Sequence, residues 1–441
     1  MKIERSGIVH LVLWMWLLGG CYFTSGNRAA LAQGDGLIEV SGKRAFPIGF
    51  YELPASAAGL EEMAENGVNL IKCSNREDLD RVAAAGMKGW IVLGVQQGAT
   101  DDLRKRIEAV KDHPALAVWE GPDEIIWTFT AYSVLYRTHN IYKYPDEWWR
   151  QTPLAMEYSE ERGNEILPKI RAAIELVRSL DGRNLQFWIN EARDSDVKWV
   201  REYLDHIDIT GCDYYPIKGK HREAIKMGKA TDRWMKVGKG KPVWMVLQAF
   251  SYHQTGEPGT FYWSEETYPS FDESRLMAYV SIVYGAKGLI YWGSFQKVTA
   301  PAFRQSLYAL TSELSALQPF LIGADQTGVS ASVIEGRSRR GDPWPPPLNL
   351  GVRCVAKRTG RDWLVILVNE DDRPHYGVVV SGLEDLNGQS LKLLYGEESA
   401  KIKHGEFITR IKPFEVKVFA SNQGWETERR KGRDYAGVFV E

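Results

Sequence analysis

Cysteine is scarce, with four in 441 residues at positions 21, 73, 212 and 354 and no C-x-x-C pair. That pattern excludes a zinc-ribbon signature and a disulfide framework. If Cys21 leaves with an N-terminal leader, an odd number remains, and Cys73 and Cys212, at the ends of apolar runs, are expected as buried free thiols. An excess of charge of either sign is also missing, the formal net charge being −2. Nucleic-acid binding needs a basic face, so no nucleic-acid partner is expected. The eight histidines are scattered without H-E-x-x-H, no G-x-S-x-G occurs, and no G-x-G-x-x-G follows the first strand-like run. Zincin, α/β-hydrolase and dinucleotide chemistry therefore lack their signatures, and no metal or cofactor is expected. His113, just before Pro114, reads as a turn residue rather than a ligand.

Long apolar runs are missing as well. The run at residues 8–18 is short for a bilayer span and follows Lys2 and Arg5, so residues 1–32 read as an export signal that is removed rather than folded. Two processing patterns compete. Leu18-Gly19-Gly20-Cys21 resembles a lipoprotein box, which would tether the protein to a membrane through lipidated Cys21; Ala30-Leu31-Ala32 is an A-x-A site for ordinary signal peptidase and is preferred. Either places the mature protein outside the cytoplasm, periplasmic or extracellular; the alternative is an uncleaved anchor.

What the chain does have is bulk and aromatic rings. Its hydrophobic fraction of 44% and charged fraction of 25% are those of an ordinary globular protein. Its length suits a barrel of roughly 250 residues or more with a smaller module. The 16 Trp and 20 Tyr are unusual. Some must be core, but aromatic rings also stack on the apolar faces of sugars, which favours a carbohydrate ligand.

Between residues 46 and 295 short apolar runs alternate with longer charged stretches of helical spacing, the signature of βα units around a parallel sheet. The runs are 46–51, 68–73, 89–95, 116–119, 185–189, 207–212, 243–247 and 288–292, eight in all, the count of a closed (β/α)8 barrel. An open doubly wound sheet is the alternative, without a glycine fingerprint to support it. Beyond Leu321 the spacing turns to short alternating runs with turn residues between them, predicting a small antiparallel β-sandwich. The expected organisation is a barrel over 40–320, a sandwich over 321–425 and a basic, solvated tail over 426–441. Residues 336–347, with three arginines and three consecutive prolines, read as an exposed loop. The insertion at 125–159 carries nine Trp, Tyr and Phe residues, among them Trp127 and Phe129, and follows a barrel strand, where long insertions sit at the catalytic face. It is either an aromatic lid over a ligand or a segment that packs on itself or on a partner.

Barrel chemistry comes from the C-terminal ends of the strands. The fourth window reads His113-Pro114-Ala115-Leu116-Ala117-Val118-Trp119-Glu120-Gly121-Pro122-Asp123-Glu124. This resembles clan A glycoside hydrolases, whose fourth strand commonly reads H-P-s-i-x-x-W-x-x-x-N-E. The resemblance implies that Glu124 is the general acid/base and that Asp123 stands at the family's Asn, beside Trp119. Apolar neighbours such as Trp119, Ile125 and Trp127 would keep such an acid protonated. The plain alternative is that Glu120, Asp123 and Glu124 form a polar loop or a helix start.

The seventh window, residues 242–250, holds Gln248 where the resemblance implies a nucleophilic Glu. An amide cannot form the glycosyl-enzyme ester. Another carboxylate serves, or a group on the substrate attacks, or the protein binds sugar without cleaving it. Asp213, before Tyr214 and Tyr215, is the preferred second carboxylate, about 6.5 to 9.5 Å from Glu124 as in inverting enzymes; a structural carboxylate bonded to a loop is the alternative. Glu52 and Glu191 follow it. The eighth window, 285–294, resembles uncharacterised barrel glycosidases related to beta-galactosidases, and implies Tyr291 and Trp292 as sugar contacts, Trp292 as a stacking floor unless it is plain core. Tyr252 and His253 are weaker contacts. The expectation is a glycosidase-like barrel acting on, or merely binding, a carbohydrate.

Overall fold

The computed structural model describes residues 34–131, 135, 152–256, 264–293, 300–334 and 351–431. Eight parallel strands close into a barrel: β1 (Ile48–Phe50), β2 (Leu70–Cys73), β3 (Lys88–Val92), β4 (Leu116–Glu120), β5 (Gln186–Ala192), β6 (Ile209–Asp213), β7 (Val243–Gln248) and β8 (Gly288–Trp292). Each pairs with its neighbours in sequence, and β8 closes the ring on β1 with Tyr291 opposite Phe50. The eight runs expected from the sequence are these eight strands.

The crossover helices start where local chemistry starts them. Ser56, Asn75 and Thr100 each accept a backbone N–H from the first turn of α1 (Ala57–Glu65), α2 (Arg76–Ala84) and α3 (Asp101–Val110), satisfying amides that a helix leaves unpaired. After β4 come a short helix α4 (Ile125–Thr130) and the long α5 (Pro153–Leu180), then α6 (Val197–Tyr203) and α7 (Lys226–Val237). Ser270 and Glu273 form a reciprocal capping box at α8 (Phe271–Val283), and Pro301 opens α9 (Pro301–Ala316). Most of the aromatic insertion, residues 132–134 and 136–151, lies outside the described residues, as does the loop at 336–347.

Strand alternation sorts side chains into two cores. Outward residues such as Phe50, Ile71, Trp119, Ile189, Leu247 and Tyr291 pack under the helices. Inward residues Leu70, Trp90, Val118, Trp188, Ile209, Trp244, Val246 and Ile290 fill the lumen. Trp188 lies between Trp90 and Trp244, with ring centroids 6.1 and 5.0 Å away. The close approach needs Gly211, where a Cβ would come within 2.1 Å of the Trp244 carbonyl oxygen. Part of the tryptophan excess is thus lumen filling rather than ligand contact. An N-terminal hairpin, Ile38–Val40 with Lys43–Ala45, packs Ile38 and Ala45 onto this lumen core, and Trp244 donates its indole N–H to the Gly36 carbonyl.

The C-terminal module has two antiparallel sheets. Its strands are β9 (Ser330–Val333), β10 (Val352–Thr359), β11 (Asp362–Asn369), β12 (His375–Ser381), β13 (Ser390–Leu393), β14 (Ser399–Lys401), β15 (Phe407–Ile411) and β16 (Val416–Ala420). They order as β9-β12-β15 and β10-β11-β16-β13-β14. The larger sheet is covered on both faces. Val365, Leu367 and Phe419 face the smaller sheet, while Leu364, Ile366 and Val418 join the core cluster of the barrel helices. Central β11 therefore reads as a continuous apolar run instead of an alternating one.

Arg275 on α8 joins the two modules: it forms a buried bidentate pair with Glu313 of α9 and donates to the Val416 carbonyl of β16. Arg430 adds a contact at 3.7 Å to Glu313, and Arg429 donates to Gln305. The start of the expected solvated tail is therefore packed, because a buried carboxylate on α9 draws it in. Cys73 and Cys212 are buried free thiols, as expected, and Cys354 is half-buried.

Candidate functional site

The alternation that fills the lumen also decides which side chains reach its C-terminal mouth. Continuing the inward series to the C-terminal strand ends gives Tyr51, Lys72, Val92, Glu120, Asn190, Asp213, Gln248 and Trp292. Asp123 and Glu124 join them from the turn after β4.

Glu124 is the residue preceding α4 and adopts a left-handed backbone (φ 49°, ψ 42°), unusual for a side chain with a Cβ. Its amide donates to the Asn190 carbonyl at 3.0 Å. Its carboxyl makes no bond to its own helix but is hydrogen-bonded to Asp213. The water-wide gap expected between these two groups is therefore absent, because the left-handed turn folds Glu124 inward against the end of β6. Burial, with Asp123 second, pushes the Glu124 pKa up to about 7. Burial and then the Glu124 charge push Asp213 well above the usual carboxylate range, while the Tyr215 hydroxyl donates to it. Two carboxyls in contact cannot both ionise at low cost, so the pair retains a proton near neutrality.

Glu120 was not singled out by the sequence. It is fully buried and accepts from the Tyr51 hydroxyl at 2.8 Å and the Trp90 indole N–H at 2.6 Å. Burial and the Asp123 charge raise its pKa to about 8 despite those donors. Asp123 accepts from the Asn190 amide at 2.7 Å; it is ringed by protein yet open to water from the mouth, and its pKa is raised, chiefly by that partial desolvation. Lys72, also missed, lies 5.1 Å over the Tyr51 ring and opposes the charges of Glu120 and Asp123. The signal that could have found both was strand parity: in Leu116-Ala117-Val118-Trp119-Glu120 the lumen residue Val118 predicts Glu120 inward and Trp119 outward.

Beside the acidic cluster stands an aromatic wall. Tyr215 and Trp292 are half-buried and stacked, with centroids 5.5 Å apart and planes at 28°. Buried Phe250 backs both edge-on, and Tyr252 packs behind Phe250 and donates to the Tyr215 carbonyl. Glu52 accepts from the Gly293 amide at 2.8 Å, anchoring the chain just after Trp292. His253 is exposed in the loop after β7.

Of four residues singled out in the sequence windows, three point away from the mouth and one is sealed into its wall. Trp119 points outward, fully buried, and donates its indole N–H to Asp181 behind the barrel at 2.9 Å. Tyr291 also points outward, edge-on to Phe50 among the helices. Glu191 follows inward Asn190 and so faces away from the lumen, holding Ile126, Ser195 and Tyr203. Gln248 does sit at the mouth layer, but it is fully buried: its oxygen accepts from Ile217 N–H, and both its amide protons go to the carbonyls of Ile217 and Phe250. It is wall, not a reaching group. His113 accepts from the Ala115 amide and contacts Asp80, as a turn residue would. Among the described residues no group of three or more His, Cys, Asp or Glu could hold a metal ion, and no helix is long and apolar enough to cross a membrane.

No protein-family model matches the chain, and no curated protein matches it in sequence. Solved structures do match. A beta-galactosidase from Bacillus circulans sp. alkalophilus superposes with a TM-score of 0.52 at 9% identity, over 85% of this chain and 98% of that one. A catalytic mutant of a GH42 beta-galactosidase from G. stearothermophilus does so with 0.52 at 10%, again over 85% and 98%. The chain shares the eight-stranded (β/α)8 barrel fold of these glycoside hydrolases. A beta-galactosidase from the psychrophilic Marinomonas ef1 aligns over 62% of this chain and 60% of its own, with a TM-score of 0.42 at 12% identity. In this barrel the acidic cluster and the aromatic wall occupy the C-terminal mouth, the face where barrel enzymes work.

Proposed function

We propose that the protein is an exported glycoside hydrolase that cleaves O-glycosidic bonds of an oligo- or polysaccharide by general acid/base catalysis. The observation that carries this reading is the hydrogen-bonded Glu124–Asp213 pair at the barrel mouth, beside the half-buried stack of Tyr215 and Trp292. The proton that the two carboxyls share passes through Glu124 to the leaving oxygen as the C–O bond breaks. Asp213, left as a carboxylate, faces the positive charge that develops on the sugar, and water then adds, returning a proton to the pair. Asp123, open to water and held by Asn190, is placed to accept from a sugar hydroxyl. Export rests on the N-terminal charge and apolar pattern, with a lipid tether at Cys21 as its variant.

One observation favours a second reading, a barrel that binds carbohydrate without cleaving it. Gln248 is saturated by backbone groups, so the seventh strand supplies neither charge nor nucleophile. Assay of the mature protein on aryl glycosides and polysaccharides, beside Glu124→Gln and Asp213→Asn, separates the two. Turnover lost in both variants supports the hydrolase. Sugar binding without turnover on any substrate supports the binder, and turnover unaffected by Glu124→Gln overturns the assignment of the acid.

A further inference from the structure

The residue preceding a helix normally turns its own side chain back onto the second or third amide of the first turn. Glu124 occupies that place ahead of α4 and does not do so. The second amide of that turn, Ile126 N–H, instead reaches both oxygens of Glu191 at 3.2 Å. Glu191 belongs to β5, points away from the lumen, and is fully buried. It also accepts from the Ser195 hydroxyl at 2.8 Å and the Tyr203 hydroxyl at 2.9 Å. A carboxyl offers about four acceptor sites when ionised and fewer when protonated, so these donors leave Glu191 no capacity for chemistry in the lumen. Its neighbour Asn190 takes the Glu124 amide on its carbonyl. Two successive residues of one strand thus clamp the amides on either side of Glu124's left-handed turn. A left-handed, non-glycine residue is costly and persists only where its surroundings over-determine it.

We propose that Glu191 is a positioning residue for Glu124: by capping α4 from the neighbouring strand, it releases the Glu124 carboxyl from the helix and directs it onto Asp213. The inference rests on the reading of Glu124 as the acid, but its structural half does not. Without Glu191 the bare Ile126 amide becomes the nearest partner for the Glu124 side chain, which then turns back to cap its own helix and leaves Asp213. The groups around Glu191 are the Ser195 and Tyr203 hydroxyls and, as its charged neighbour, Glu124 itself. Burial is the main reason that the Glu191 pKa stands at about 8.

The test compares Glu191→Ala, Glu191→Gln and Tyr203→Phe by carbon-13 titration of the Glu124 carboxyl and by steady-state kinetics. Gln keeps one acceptor for the Ile126 amide, whereas Tyr203→Phe removes a donor to Glu191 without touching that amide. Expected are a Glu124 titration displaced toward the ordinary carboxylate range in Glu191→Ala, partial return in Glu191→Gln and none of the displacement in Tyr203→Phe. With the displacement, kcat falls by about 10²-fold, as expected for a misplaced reacting group, while KM holds. A titration of Glu124 that is the same in the wild type and in Glu191→Gln and Glu191→Ala overturns the proposal; if Glu191→Ala does not fold, Glu191→Gln alone decides. Should the wild type prove inactive on every sugar, the hydrolase reading fails, and the titration still decides whether Glu191 directs Glu124.

Discussion

Gln248 holds Ile217 from both ends of one amide, accepting its N–H at 2.9 Å and donating to its carbonyl at 2.8 Å. This ties the end of β7 to the loop after β6, and it explains how a neutral residue is accommodated where the resemblance to clan A enzymes implies a nucleophile. Glu at this position would direct a carboxylate at the carbonyls of Ile217 and Phe250. We expect Gln248→Glu to destabilise the protein by about 1–3 kcal/mol, the cost of unpaired buried polar groups, and not to raise turnover. Chemical denaturation together with glycoside assay checks this; a stable, more active variant would show that the position is a vacant nucleophile site.

Neutralising the pair is the direct test of the chemistry. Glu124→Gln and Asp213→Asn are each expected to lower kcat by about 10²–10⁴-fold, the range of a lost general acid or base. Because burial pushes the Glu124 pKa up to about 7 and the protonated pair is the active form, wild-type turnover should fall as pH rises through that value. A rate that climbs through the same range would invert the assignment.

The aromatic wall should act on binding rather than on bond cleavage. Trp292→Ala is expected to raise KM about tenfold, equivalent to roughly 1.4 kcal/mol of lost contact, with kcat nearly unchanged. Trp119→Phe is the control, since its indole bonds Asp181 behind the barrel. It should lose about 1 kcal/mol of stability, one hydrogen bond, and leave KM alone. Equal KM effects from the two would remove the distinction between wall and core.

The buried carboxyls also shape stability. Glu120, Glu124 and Glu191 have pKa values raised to about 8, 7 and 8. The folded state therefore binds these protons more tightly than the unfolded chain does, and their contribution is most favourable below the unfolded carboxylate range. Stability is then lost as pH rises from there through the folded values, by up to about 1.4 kcal/mol per pH unit for each proton. Calorimetry should show Tm falling as pH is raised from about 5 to 8, and Glu191→Gln should flatten that slope. A Tm that rises across this range would mean that the groups are ionised and paired in the fold.

The barrel was legible in the sequence because each strand is a compact apolar run and most of the crossover helices begin with a capping side chain. Glu124 and Asp213 were legible as strand-end carboxylates. Their contact was not, since it depends on a left-handed backbone at Glu124 that no local residue pattern announces. Glu120 and Lys72 went unread for a different reason. Both follow from alternation once the lumen face is fixed, but a sequence motif groups Trp119 with Glu120, while the strand turns them to opposite sides. Tyr291 and Glu191 were misplaced by the same error of parity. The both-sided burial of β11 was invisible as well, because its outer face is covered by α8, far earlier in the chain.

The Arg275–Glu313 pair, with its further bond to Val416, bears on how the chain can be divided. Cut after Leu321, the barrel would keep Glu313 and Arg275 but lose the carbonyl and the sheet that seal them from water, and the sheet-facing side of α8 would be bare. The two modules are separate in architecture but share one buried seam, so a barrel transplanted alone into another protein would carry an open seam rather than a finished surface.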